Sequence, residues 1–156
     1  MKMADKPLSK ARRAQGLSFV EVAISAFLIV LMAVLTVNIC LLIFGCSVND
    51  KACRDVVRAA AKQPTYAQAL QFAQAELKMH TTDGNFVSPI QLVNGLTYQD
   101  FGGNPPPGQT PYVQATTSVV VTLPAPIYFF GSSFTNQFTF SQTYTSPIIR
   151  TKYVLN

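Results

Sequence analysis

Residues 12–30 read RRAQGLSFVEVAISAFLIV, and this stretch decides how the rest of the sequence is interpreted. It is basic at its start and then opens an apolar run, in which Val22 to Phe44 includes 23 residues without a charge. As a helix this run extends over about 35 Å, more than the ~30 Å hydrocarbon core of a bilayer. A buried core helix of that length normally carries a polar stripe. We therefore predict one membrane-spanning helix.

The positive charge of the chain is concentrated at its N-terminus. The sequence has 12 Lys and Arg against 7 Asp and Glu. Residues 1–16 hold five of those basic residues and one acid, a balance of +4, and the other 140 residues hold seven and six, a balance of +1. Nucleic-acid binding needs a basic face on the folded part, which this distribution does not offer. A basic segment before an apolar run instead predicts a cytoplasmic N-terminus.

The segment GLSFVEV, residues 16–22, resembles the processing site of type IV pilin-like proteins. In that family a prepilin peptidase cuts after the glycine on the cytoplasmic side, and a glutamate is the fifth residue of the mature chain. The resemblance implies that Gly16 is the glycine, that Leu17 becomes the new N-terminus and that Glu21 is the fifth residue. Residues 1–16 would then be a basic leader, and residues 17–45 the transmembrane helix.

Glu21 also has a physical reason to need a partner. A carboxylate at the bilayer centre costs about 2.5–3.5 kcal/mol on insertion scales. Cleavage would free an ammonium on Leu17, one turn away, and pairing within one helix or with a neighbouring subunit reduces the cost of burying both charges. The resemblance implies the pairing between subunits. The alternative is that Glu21 only extends to the cytoplasmic interface.

Two other interpretations of the N-terminus stay open. A cleaved secretory signal has an apolar core of about 7–15 residues, shorter than this run. The segment LIFGC, residues 42–46, loosely resembles a lipobox, in which cleavage before Cys46 precedes its lipidation. An envelope lipoprotein or a non-polymerising membrane-anchored binding module is therefore the alternative function.

Helical signals continue beyond the apolar run. Residues 47–61 are rich in alanine, and the pairs Asp50–Arg54 and Lys51–Asp55 have the i,i+4 spacing of surface ion pairs. We expect a helical segment over residues 46–80.

A second helix is predicted after Pro64, which ends the first. Thr65 is its N-cap, with Gln68 three residues later as in a capping box. The predicted helix runs from Tyr66 to about Met79.

The segment ACRDVVRAAAKQ, residues 52–63, narrows the resemblance to the TadE-like pseudopilins of tight-adherence pilus systems. Those proteins typically follow the membrane helix with an Asp/Asn turn, an Arg- and Ala-rich helix and a small β-rich part. The resemblance covers about residues 10–62 and is architectural beyond them. The helix of residues 17–44 also fits a type IV pilin or a type II secretion pseudopilin. The C-terminal part is larger than the very short major pilins of tight-adherence systems, which favours a minor subunit.

Residues 81–156 are rich in β-type segments. The fold class predicted is therefore α+β, with a long N-terminal transmembrane helix that extends into a small region containing a second helix and an antiparallel sheet. Pro89 would place the weak candidate strand that contains it, Phe86–Leu92, at a sheet edge, because proline cannot donate a hydrogen bond to a neighbouring strand. The predicted strands are Tyr112–Leu123, Phe134–Tyr144 and Ile148–Leu155, with weaker candidates at Phe86–Leu92 and Leu96–Phe101.

The sequence offers no catalytic, cofactor or metal site. The acids of residues 50–100 are scattered, and His80, near Asp83, is predicted to be a solvated histidine at a helix end. Cys46 and Cys53 could form a disulfide only if the helix breaks at residues 47–50, because seven residues of unbroken helix separate their Cα atoms by about 10.5 Å. The protein is predicted not to be an enzyme.

The resemblance implies a single-pass protein of the bacterial inner membrane, with a cytoplasmic N-terminus and a periplasmic C-terminal region. In the assembled state it would be part of a surface pilus. The partners it implies are a prepilin peptidase, other pilin or pseudopilin subunits, the pilus assembly platform and membrane lipid, with no nucleic acid and no cofactor.

Overall fold

The chain is built from two helices followed by antiparallel strands. The computed structural model describes the backbone of residues 8–125, 128–129, 132–133 and 136–149, and the side chains of residues 19–125 and 136–149. The elements are α1 (Leu8–Ala61), α2 (Tyr66–Met79), β1 (Gln91–Gln99), β2 (Tyr112–Thr122), β3 (Tyr128–Phe129), β4 (Ser132–Ser133) and β5 (Gln137–Pro147), with a 3-10 turn at Phe101–Gly103. Strands β1, β2 and β5 form one sheet in the order β1-β2-β5, and β3 pairs with β4. The α+β class is confirmed.

The chain divides into two units, residues 1–39 and residues 40–156. We call residues 40–156 the head. In the head, α1 continues to Ala61 without interruption. Asn49 and Asp50 lie inside this helix, as the helical signals of residues 47–61 predicted.

Helix α2 has the bounds that the sequence predicted. The Thr65 side chain accepts a hydrogen bond from the backbone N–H of Gln68 at 3.4 Å, as an N-cap does. The Gln68 side chain lies 3.2 Å from the same hydroxyl. In a full capping box the Gln68 side chain would instead accept a hydrogen bond from the backbone N–H of Thr65.

The sheet is centred on β2, whose residues alternate strictly between buried and half-buried. It pairs without a register shift with β5, from Tyr112 opposite Pro147 to Thr122 opposite Gln137. The strand predicted at Phe134–Tyr144 thus begins and ends about three residues later. Of the last predicted strand, Ile148 and Ile149 are not in a strand, and residues 150–155 lie outside the described residues.

The two weak strand candidates are corrected to one strand with an irregularity. Val93 pairs with Thr116 and Leu96 with Ala115, so Asn94 and Gly95 have no partner on β2. Both have positive φ, 58° and 76°, a conformation that Asn and Gly adopt most readily. The segment before β1 contributes only an isolated bridge, from Val87 to Val121.

The core lies on one face of the sheet, under the two helices. Its first cluster joins α1, α2 and the β1–β2 pair, and its second joins α1 to Val87, Ile90 and the end of β2 near Val121. The turn before Val87 is held by Asp83, whose carboxylate accepts hydrogen bonds from the backbone N–H groups of Phe86 and Val87. These two bonds hold the pKa of Asp83 below its usual range.

Gly45 of α1 packs closely against Val121 near the end of β2. A Cβ at this position would overlap the Cγ2 methyl of Val121 and touch Cγ1 of Val87. Val121 is fully buried, so its methyl has little room to move. Glycine is therefore required at residue 45 by packing, and the helix itself would prefer another residue there.

We expect Gly45→Ala to destabilise the head by about 1–3 kcal/mol through overpacking. Alanine is intrinsically the better helix former by about 1 kcal/mol, so a loss must come from the contact with Val121. The measurement is urea unfolding of the full-length protein in a mild non-ionic detergent, followed by near-UV circular dichroism of its tyrosines.

The control is the pair of variants Val121→Ala and Gly45→Ala/Val121→Ala. Val121→Ala alone leaves a void, whereas in the double variant the new methyl occupies part of that void. The double variant should therefore lose less stability than the two single losses combined. Additive losses would contradict the contact.

Candidate functional site

Residues 19–39 of α1 form an exposed apolar surface, which we call the apolar segment. Fourteen of its large apolar side chains are at least 40% exposed, and Phe19 reaches 75%. Exposed apolar surface of this extent on a protein marks a contact with lipid or with another chain. The fourteen are Phe19, Val20, Val22, Ile24, Phe27, Leu28, Ile29, Val30, Leu31, Met32, Val34, Leu35, Val37 and Ile39.

The apolar segment cannot be an ordinary water-facing surface. Burying one such side chain fully stabilises a protein by about 1.5–3 kcal/mol relative to leaving it exposed. Since the fourteen side chains are 40–75% exposed, even the lower value corresponds to about 12 kcal/mol, comparable to the net stability of a typical domain, about 5–15 kcal/mol. By length and composition, one helix among the described residues, Phe19–Ala61, could cross a membrane.

The predicted processing and assembly residues all lie on α1. Gly16 and Leu17 fall within its described backbone, in a part whose side chains are not described. Glu21 is exposed and stands four residues after Leu17, so on a helix the two positions share a face. Farther along, the hydroxyl of Thr36 donates to the Met32 carbonyl at 2.8 Å, which satisfies this polar group within its own helix.

In the head, Asn49 attaches α1 to the middle of the sheet. Its side chain is fully buried and uses both kinds of polar atom. Asn49 Oδ1 accepts a hydrogen bond from the hydroxyl of buried Thr117 at 2.8 Å. Asn49 Nδ2 donates to the carbonyls of Phe140 at 3.2 Å and Thr117 at 3.4 Å. The amide therefore bridges β2 and β5 from one position on the helix.

Cys53 occupies the next turn and makes a weaker version of the same contact. Its Sγ lies 3.2 Å from the Gln142 carbonyl oxygen and 3.5 Å from that of Ala115, so its one S–H can donate to either. Cys46 and Cys53 are both free thiols. The disulfide considered between them is not formed, because α1 is unbroken from Cys46 to Cys53 and the Cys53 thiol points into the sheet.

A charged network joins α1 to β5 beside this contact. The predicted Asp50–Arg54 pair is present at 2.6 Å. Tyr144 completes it, because its hydroxyl donates to Asp50 at 2.9 Å and accepts from Arg54 Nε at 2.8 Å. The hydrogen bond to Tyr144 and the charge of Asp50 raise the pKa of Arg54 above its ordinary value. The i,i+4 spacing identified the ion pair, but nothing in the sequence indicated the tyrosine.

Two further expectations are corrected. His80 does not point into solvent beside Asp83. Its side chain is 14% exposed and lies between Asp55 and Glu76. Asp55, expected to pair with Lys51 on the surface, faces His80. Both corrections come from the packing of α2 against α1, which spacing along a single helix does not reveal.

Comparison of the chain with protein-family models, with curated proteins and with solved structures finds no match.

We expect Asn49→Leu to destabilise the head by about 1–3 kcal/mol, because it leaves the Thr117 hydroxyl buried without its acceptor. Thr117→Val should also destabilise, since it removes the donor to Asn49. In the double variant neither of these two polar side chains remains unpaired, so the combined loss should fall short of additivity by at least about 0.5 kcal/mol. Urea unfolding of the full-length protein in detergent measures all three variants. Strict additivity would show that the bond does not couple helix and sheet.

Proposed function

We propose that this chain is a TadE-like minor pseudopilin, a single-pass inner-membrane protein that is cleaved after Gly16 and acts in the assembly or initiation of a tight-adherence pilus. The observation that carries the proposal is the apolar segment with its one carboxylate. Its described side chains are overwhelmingly apolar and exposed, and Glu21 is five residues after Gly16. That combination suits a helix whose partners are lipid and other copies of the same kind of helix.

The charge arrangement supports an assembly role for Glu21. Residues 19–39 contain no basic side chain that could pair with this carboxylate. Cleavage after Gly16 would supply one, the ammonium of Leu17. A lone subunit could pair Glu21 with its own Leu17 ammonium, whereas the ammonium of a neighbouring subunit would reach Glu21 only in an assembled bundle. Pairing between subunits would therefore favour helix packing over dispersion in lipid.

The proposed topology follows from the +4 balance of residues 1–16. Basic residues flanking a membrane helix stay in the cytoplasm, which assigns the head to the periplasm. The partners are then a prepilin peptidase on the cytoplasmic side, other pilin or pseudopilin subunits and the assembly platform within the membrane, and the lipid itself.

The lipoprotein alternative is disfavoured by the packing around Gly45. Cleavage before Cys46 would cut α1 between two residues of the head and separate Gly45 from the helix that holds it against Val121. The alternative of a membrane-anchored binding module that never polymerises predicts no role for Glu21 in association.

Cleavage is tested by mass. We expect co-expression with a cognate prepilin peptidase to shorten the wild-type chain by 16 residues, to a form beginning at Leu17. Gly16→Phe should leave a full-length precursor in the membrane fraction, because a bulky side chain replaces the residue before the cut. An unchanged wild-type mass, with the peptidase shown to be active on another substrate, would refute the proposal. A form beginning at Cys46 would establish the lipoprotein.

Assembly is tested at Glu21. We expect Glu21→Gln to be cleaved and inserted normally and to reduce crosslinking between differently tagged copies, or to the major pilin, at least tenfold. Removing one member of a buried pair costs about 3–5 kcal/mol, and about 1.4 kcal/mol already gives that factor. Glu21→Asp, which keeps the charge, should retain part of the association.

The matched control is Asp100→Asn, which removes one negative charge from the head near the end of β1. It should crosslink like the wild type. Normal crosslinking of Glu21→Gln would refute the pairing and favour a carboxylate that only extends to the interface. Loss of cleavage in that variant would instead assign Glu21 to recognition by the peptidase.

A further inference from the structure

Asp55, Glu76 and His80 bring three metal-ligating side chains together between the two helices of the head. Asp55 comes from α1, whereas Glu76 and His80 are one turn apart at the end of α2. Each offers one donor atom, and the three atoms lie within 4.8 Å of one another. All three residues are half-buried, so the cluster is neither fully solvated nor enclosed in the core.

The distances within the cluster are those of ligands around a shared centre. His80 Nε2 lies 3.4 Å from Asp55 Oδ2 and 3.9 Å from Glu76 Oε1. Both exceed the 2.7–3.2 Å of a normal N–H···O hydrogen bond. Two ligands of a tetrahedral Zn²⁺, each about 2.0–2.1 Å from the ion, stand about 3.3 Å apart. The imidazole nitrogen therefore faces both carboxylates at nearly the spacing that an ion between them requires.

The donor types select the class of ion. An imidazole nitrogen with two carboxylate oxygens suits Zn²⁺ and neighbouring first-row ions. Ca²⁺ takes six to eight oxygen ligands, and Mg²⁺ also prefers oxygen, so both fit a histidine-containing set poorly. Three protein ligands leave a position for water, and an open pocket of about 290 Å³ lined by His80, Leu77 and Thr81 borders the cluster.

We infer that Asp55, Glu76 and His80 bind a divalent first-row transition ion, with Zn²⁺ as the representative, that links α2 to α1. The ion neutralises two carboxylates held beside each other and fixes the end of α2 on the helix that carries the apolar segment. Binding that requires the folded arrangement of both helices stabilises that arrangement. This inference is independent of the proposed pilus function.

The test is isothermal titration calorimetry of the full-length protein in non-ionic detergent. The protein carries no polyhistidine tag, and a chelator removes its metal before the titration. The probe is Zn²⁺, with Mg²⁺ and Ca²⁺ as comparison ions. We expect one Zn²⁺ per chain, little binding of the comparison ions and a rise in unfolding temperature on addition of Zn²⁺. The variants Asp55→Asn, Glu76→Gln and His80→Gln should each weaken Zn²⁺ binding at least tenfold.

Asp100→Asn is the matched control, because it removes the same charge elsewhere in the head and should bind Zn²⁺ like the wild type. The inference would be overturned if the wild-type protein does not bind Zn²⁺, or if the three cluster variants bind Zn²⁺ as tightly as the wild type. It would also be overturned if Asp100→Asn weakens Zn²⁺ binding as much as the cluster variants do. The first result would leave the cluster as a metal-free contact between His80 and the two carboxylates.

Co²⁺ substitution keeps the inference testable if a cluster variant fails to fold. The wild-type protein loaded with one equivalent of Co²⁺ should show the visible d–d bands of a four- or five-coordinate site with nitrogen and oxygen ligands. A thiolate-to-cobalt charge-transfer band would move the site to the cysteines and overturn the inference. Circular dichroism of each metal-free variant checks that its helices are intact.

Discussion

The hydrogen bond between the Asn49 amide and the Thr117 hydroxyl sets how α1 lies on the sheet of the head. A buried amide with both donors and its acceptor engaged tolerates little rotation or sliding, since any shift leaves a polar atom without a partner. The neighbouring turns of the same helix face have small side chains, at Gly45, Ala52 and Cys53. These let the helix come close enough for polar side chains to reach the backbone carbonyls of β2 and β5. Close packing and polar contact therefore depend on each other.

One helix thus carries two different patterns of side chains. Over residues 19–39 its described side chains are apolar on all sides, apart from a few small polar groups and Glu21. Over residues 47–61 the helix has one buried face of small and β-branched residues, and its other positions include Asp50, Arg54 and Arg58. The first pattern is typical of a helix in lipid or in a helical bundle, and the second of a helix that covers a sheet. The change in pattern occurs without a break in the backbone.

The sequence predicted the parts of the fold that depend on neighbours along the chain. Thr65 and Gln68 defined the start of α2, and the β-branched run around Val119 defined β2. It predicted a helix through Asn49 but not what holds the Asn49 side chain, because the carbonyl partners of that amide are 68 and 91 residues away. Asp55 and His80 lie on different helices, and the sequence did not indicate that they face each other. Of the candidate site, the apolar segment and Glu21 could be recognised from composition and spacing, whereas Asn49, Tyr144 and the histidine cluster required the tertiary structure.

The irregularity in β1 has a consequence for how this sheet tolerates changes in chain length. Asn94 and Gly95 are two extra residues of β1 that have no partners on β2. Because strand side chains alternate with a period of two, Leu92 before them and Leu96 after them both still face the core. A single extra residue in regular extended backbone would have turned one of these leucines outward. Deletions and insertions at this position are therefore compatible with the core in pairs and damaging singly. Natural length variation in related chains should follow that parity at residues 94–95 and show no such rule in the loop of residues 104–110, where no ladder has to be kept in phase.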